Sequence, residues 1–242
     1  MRSALRLALV ASLALAGCFN VSWGEGERVE GSGTSATRTV DVAGVRSVSL
    51  ATPGTLVVTD GAVPLVIEGD DNLIDRIEAE VRDGELVVAA ERGVSLRPQA
   101  PLRFTVGVDR LEGVRIAGSG RVEATRAQAD ALTLAIAGSG ALDVSGVRAD
   151  AVTVSVAGSG DVTVAGRAGR LAVEIAGSGD VDAVGLQADQ AEVQIAGAGD
   201  VTLWAEKALD VEIMGAGDVR YAGSPEVTRS VMGAGEITRV ER

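Results

Sequence analysis

Ala172-Val173-Glu174-Ile175-Ala176-Gly177-Ser178-Gly179-Asp180-Val181 decides the fold. Val173 and Ile175 alternate with small or charged neighbours, the period of a strand with one buried face. Gly177-Ser178-Gly179 stops that run, and Asp180-Val181 begins another. The stretch reads as a strand, a tight glycine corner and a second strand.

The same pattern recurs on both sides. Gly-Ser-Gly or Gly-Ala-Gly begins at Gly118, Gly138, Gly158, Gly177, Gly197, Gly215 and Gly233, at intervals of 20, 20, 19, 20, 18 and 18 residues. Two residues before each triplet stand Ile116, Ile136, Val156, Ile175, Ile195, Ile213 and Val231. Just after each come Val122, Leu142, Val162, Val181, Val201, Val219 and Ile237. One such unit cannot bury its own apolar edge, whereas stacked units bury a continuous core. The glycines suit corners of positive φ and leave room for the next coil about 4.8 Å away. The expected fold is all-β: a right-handed parallel β-helix, or solenoid, of 18–20-residue coils. A hairpin meander is the competing arrangement. A propeller blade is longer, and the leucine-rich repeat pattern is absent. In the last repeat Arg229 and Arg239 enter the apolar columns, which marks a polar C-terminal cap.

Upstream of the repeats, residues 39–110 are expected to be β-rich but less regular, an N-terminal lobe that either caps the other end of the solenoid or packs by itself. Val45–Leu50, Thr55–Thr59 and Leu65–Glu68 read as strands, and Asp71–Ile77 as one helical turn. Glu78–Val81 and Glu85–Ala89 flank Arg82-Asp83-Gly84, a hairpin signal. Residues 111–242 hold the seven-repeat solenoid.

The first residues have the form of a targeting segment. Arg2 and Arg6 precede the apolar run Leu7–Ala16, and Leu15-Ala16-Gly17-Cys18 follows. The run is far shorter than the ~20 residues that span a bilayer. The quartet resembles the lipobox of bacterial lipoproteins; the competing reading is an ordinary signal peptide with a chance Cys near the cut. The lipobox resemblance implies cleavage after residue 17, acylation of Cys18 by diacylglyceryl and palmitate-type chains, and a membrane partner reached through the lipid anchor. By resemblance to Gram-negative lipoprotein sorting, the absence of Asp after Cys18 implies the outer membrane rather than inner-membrane retention. Residues 18–38, rich in Gly, Ser, Thr and Glu, read as a flexible tether reaching about 25 Å. The triplet Gly31-Ser32-Gly33 lacks flanking apolar alternation and is counted with the tether.

Composition narrows the function. The chain carries 22 basic and 34 acidic residues, a net charge of −12, with only 2% aromatics. Cleavage would leave 20 basic residues. Such a surface repels nucleic acid. Lys207 is the only lysine, and the excess of arginine reads as coding bias. With no His, and Cys18 the only Cys, Ser-His and Cys-His catalysis is absent. The acids leave a carboxylate pair for glycoside cleavage open, but the coils are minimal and no long loop interrupts them. No catalytic residue and no cofactor is assigned.

Two candidate sites remain. Asp161, Asp180, Asp200, Asp218 and Glu236 follow the triplets and would form an acid column, a candidate for cation binding. The competing reading is that they bond corner amides and solubilise the surface. Trp204 and Tyr221 fall seven and six residues after the first Gly of adjacent repeats, a candidate sugar-stacking pair, against packing beneath a corner.

Gly69-Asp70-Asp71-Asn72-Leu73-Ile74, Asp83-Gly84-Glu85-Leu86 and the repeated Gly-Ser-Gly-Asp-Val together resemble the GIN-domain family, the head domain of autotransporter adhesins. The resemblance covers roughly residues 39–242. It implies an exported β-helical protein, often a lipoprotein, with no catalytic residues. The expectation is a non-enzymatic, lipid-anchored envelope module of adhesin type with a surface glycan or protein ligand. The alternatives are a periplasm-facing protein binding glycan or lipid, and a structural spacer. Oligomeric state is left open.

Overall fold

In the computed structural model, which describes residues 27–241, the triplets stack in parallel register. Gly118 pairs with Gly138, and the ladder continues through Gly158, Gly177, Gly197, Gly215 and Gly233. Ile116, Ile136, Val156, Ile175, Ile195 and Ile213 stack beside it and are buried. Parallel pairing throughout the repeats rules out a hairpin meander, whose neighbours would run antiparallel. The protein is a parallel β-solenoid. Each coil has one run before the triplet, a second after it, and a third past the next bend. In the Ala127–Gly138 and Ala141–Gly158 strands that third run pairs Ala127 with Val147 and Ala129 with Ala149.

From Gly138 onward both glycines of a triplet lie against the backbone of the preceding coil, and only the first also has positive φ. That φ is 139° at Gly177 and 134° at Gly138. For the second glycine the neighbouring coil is the constraint. A Cβ on Gly140 would lie 2.6 Å from the Gly120 carbonyl oxygen, and one on Gly160 would lie 2.7 Å from that of Gly140. Hydrogen bonds continue through the corner: Ser139 N donates to Gly118 O at 2.9 Å, and Ala141 N to Gly120 O at 3.0 Å. The expectation of positive φ is therefore corrected for the second glycine, where backbone proximity excludes a side chain.

The stack does not begin at residue 111. Ser47–Ala51 pairs in parallel with Gly113–Gly118 on one side and Glu85–Ala90 on the other. Thr55–Thr59 likewise lies between Arg121–Ala124 and Arg103–Gly107. Val48 and Leu50 thus extend the buried columns. The boundary drawn between 110 and 111 is corrected: part of the N-terminal lobe is solenoid, and its stacking order differs from its chain order. Leu65–Asp70 pairs antiparallel with Ser35–Val40 and with Arg103–Gly107, closing this end around the buried Phe104. Ile77–Arg82 and Glu85–Ala90 form the expected hairpin, turning at Asp83 and Gly84 with φ of 51° and 84°.

The tether reading is corrected from Glu27 onward. Glu27–Glu30 pairs in parallel with Val94–Arg97, and Gly31 is buried. Asp70, fully buried, holds this segment. Its carboxylate accepts from Gly33 N at 2.7 Å, Gln99 N at 2.9 Å and Ala100 N at 3.1 Å. Asn72 Nδ2 donates to Glu30 O at 2.8 Å, and Asn72 Oδ1 accepts from Ser32 N at 2.9 Å. The Asp70-Asp71-Asn72 run is thus a clamp that gives Gly31-Ser32-Gly33 its order. Burial pushes the Asp70 pKa up, but the amides of Gln99, Gly33 and Ala100 outweigh it and hold the carboxyl below its ordinary value. The targeting segment and Cys18 lie outside the described residues.

At the other end, Glu226–Gly233 and Ile237–Arg239 form the last coil. Arg229 stacks on Val211 and Arg239 on Tyr221, placing charge where earlier coils place apolar side chains. Val231 is 40% exposed, in contrast to the buried members of its column.

Candidate functional site

The acid column forms, and its carboxylates answer corner amides. Asp180 Oδ1 accepts from Asp200 N, Asp200 Oδ1 from Asp218 N, and Asp218 Oδ1 from Glu236 N, each at 2.9 Å. Arg220 adds a positive charge, 3.4 Å from Asp200 and 3.5 Å from Asp218. These bonds offset the like-charge repulsion of carboxylates one coil apart. Asp161 stands one coil earlier beside Ala141 and joins through the backbone, its N–H donating to Gly140 O at 3.1 Å. Arg121, which interrupts the column, pairs with Asp143 at 2.5 Å. No group of three or more His, Cys, Asp or Glu among the described residues is arranged to hold a metal ion.

Chelator is therefore expected to leave the melting temperature unchanged. Asp200→Ala, which leaves the Asp218 amide without its acceptor, is expected to cost about 1 kcal/mol. Asp200→Asn keeps an acceptor and should cost less. Thermal denaturation with and without chelator checks both; a fall restored by calcium would make the column a metal site.

The aromatic pair does not share a face. The register places Tyr221 on Leu203, and Trp204 on Ala222. Leu203 points into the core, so Tyr221 follows it inward and packs against the core cluster, while Trp204 faces outward. Trp204 Nε1 donates to Glu206 Oε1 at 2.6 Å. Counting from the first glycine misjudged the equivalence by one residue, which flips the face.

A groove along the third side of the coils escaped the sequence reading. Thr125, Arg126, Gln128, Ala129, Asp130, residues 146–150 and 166–169, Gln187 and Asp189 line it, an open trough of about 1880 Å³. In register, Gln128 stacks on Arg148, Arg148 on Arg167, and Arg167 on Gln187. The signal was available: these residues stand 10, 10, 9 and 10 positions after the first Gly of successive triplets. A second, apolar hollow runs along Ala137, Ala157, Ala176, Ala196 and Met214.

A model of the family described as "Putative auto-transporter adhesin, head GIN domain" matches residues 29–225. A "putative adhesin" of Bacteroides fragilis is similar at 27% identity and a TM-score of 0.83, over 88% of this chain and 100% of that one. A "putative lipid binding protein" of Parabacteroides distasonis is similar at 25% identity and a TM-score of 0.74, over 89% and 100%. A "putative adhesin" of Parabacteroides merdae, 20% identical with a TM-score of 0.66 over 89% and 100%, shares the fold. No curated protein matches the chain.

Proposed function

Because the chain belongs to the family of auto-transporter adhesin head GIN domains, we propose that it is a non-enzymatic, lipid-anchored module of the cell envelope that presents its solenoid to partners outside the cytoplasm. The observation that carries this reading is the stack itself. In-register coils line up their outward side chains in straight columns, a rigid surface suited to extended ligands. The lipobox quartet ending at Cys18 lies nine residues before the first strand. A short anchor would therefore hold the solenoid near an outer-membrane surface, and several acyl chains on one residue suffice for stable retention.

Two experiments test the two halves of this reading. Cys18→Ser is expected to abolish fatty-acid labelling and membrane retention; unchanged labelling overturns the lipoprotein assignment. Intact cells treated with a protease that does not cross the outer membrane are expected to lose the solenoid. Protection in intact cells, with digestion after permeabilisation, favours the second reading.

That second reading is a periplasm-facing protein that binds lipid. It draws on the description of the Parabacteroides distasonis neighbour and on the hollow lined by Ala137, Ala157, Ala176 and Ala196.

A further inference from the structure

The column Gln128–Arg148–Arg167–Gln187 continues in register to Trp204. Gln128, Arg148 and Arg167 are exposed, and Gln187 and Trp204 half-buried. Five rungs at about 4.8 Å give a polar track roughly 19 Å long. We infer that this track binds an extended glycan with spaced uronic acid residues, one carboxylate of which is held between Arg148 and Arg167. The inference rests on the reading of the solenoid as an interaction module and names its ligand class.

Charge accounting singles out these two arginines. The other cations facing the groove are answered: Arg110 by Asp130 at 2.8 Å, and Arg126 by Asp60. At its edge Lys207 is answered by Asp189 at 2.8 Å. Arg148 and Arg167 stack one coil apart, and among the described residues neither takes part in an ion pair or a side-chain hydrogen bond. Two like charges at that spacing repel. An acidic chain with 34 acids and 22 basic residues has nevertheless left both unneutralised.

The neighbouring column explains where an anion fits. Two residues after each rung stand Asp130, Asp150 and Asp189, but the coil of Arg167 carries Gly169 at that place. The acid row is interrupted beside Arg167, while Asp150 remains in the coil of Arg148. A carboxylate there takes charge-assisted hydrogen bonds from both guanidinium groups. On either side the groove offers the amides of Gln128 and Gln187 and the carboxylates of Asp130 and Asp189. Such donors and acceptors match sugar hydroxyls. Apart from Arg148 and Arg167 the cations facing the groove are already paired, so it holds no second closely spaced carboxylate, and the ligand has neutral sugars between its charges.

Calorimetry on the purified full chain in mild detergent at low salt tests this with three probes. Hyaluronan oligosaccharides carry a carboxylate on alternate sugars, polygalacturonate on every sugar, and dextran on none. Hyaluronan is expected to bind at least tenfold more tightly than the other two. R148Q/R167Q, at exposed positions, is expected to weaken hyaluronan at least tenfold, the loss of one charged hydrogen bond or more, with an unchanged melting temperature. S178A, on a triplet corner, should bind as the wild type does. Absence of hyaluronan binding, equal binding of dextran, tighter binding of polygalacturonate, or binding unchanged in R148Q/R167Q overturns the inference. Protease exposure of cells reads location, not the groove, so either proposal can fail without the other.

Discussion

Valine in place of Gly177 is expected to destabilise the solenoid by about 2–6 kcal/mol, adding backbone strain to overpacking. Gly177 has φ of 139°, a conformation in which a β-branched residue is strained. Its Cβ would overlap the Gly158 carbonyl oxygen and lie 3.0 Å from the Gly158 carbonyl carbon. The obstacle is backbone held in the ladder, so no rotamer change relieves it. In a linear stack each coil is stabilised chiefly by its two neighbours, and a wedge in the middle weakens both interfaces. The melting temperature should fall by roughly 5–20 °C for a domain of this size. Gly61→Ala is the control. Its φ is 90°, yet no atom stands within 4 Å of the added Cβ. Its cost is strain alone, about 1 kcal/mol. Equal melting temperatures for the two variants would refute the close-approach account of the corner.

The second large effect is expected at Asp70. Asp70→Ala leaves the Gly33, Gln99 and Ala100 amides without their acceptor. It should lower the melting temperature by more than about 5 °C and admit protease between Glu27 and Val40. Acidification should do part of the same. The folded carboxyl titrates below its ordinary value of 3.8. Its contribution is therefore fully present above the unfolded value and is lost as pH falls from there through the folded value. Asp70→Asn should abolish that loss. A wild-type melting temperature that is flat through this acid window would show that the clamp does not depend on the charge.

The repeat columns were legible because burial in a strand is written with period two, and seven copies average out exceptions. The hairpin at Asp83-Gly84 was legible because a turn is a local event. Glu27–Val40 was not. Its composition is that of a linker, and its order comes from distant partners: ladders with Val94–Arg97 and Leu65–Asp70, and the bonds to Asp70 and Asn72, 37 to 42 residues away in the chain. The placement of residues 47–59 within the stack was hidden for a related reason. Ala51-Thr52-Pro53-Gly54 replaces the triplet, so only pairing reveals the coil. The groove column was hidden by composition: arginines scattered along 20-residue intervals look like coding preference until register brings them together.

The coil formed by Ser47–Ala51 and Thr55–Thr59 has both of its edges filled by segments that follow it in the chain. A polypeptide delivered N-terminus first therefore presents these strands as an unsatisfied template before either neighbour exists. One edge is closed when residues 85–107 arrive, and the other only when residues 113–124 do. From that point each later repeat needs only the one before it. Nucleation is thus a nonlocal event spanning nearly 80 residues, whereas elongation proceeds one coil at a time in the order of emergence. The same sequence of events leaves a growing end that attracts any spare strand. Arg229 and Arg239 place charge at that edge in the final coil of the described residues.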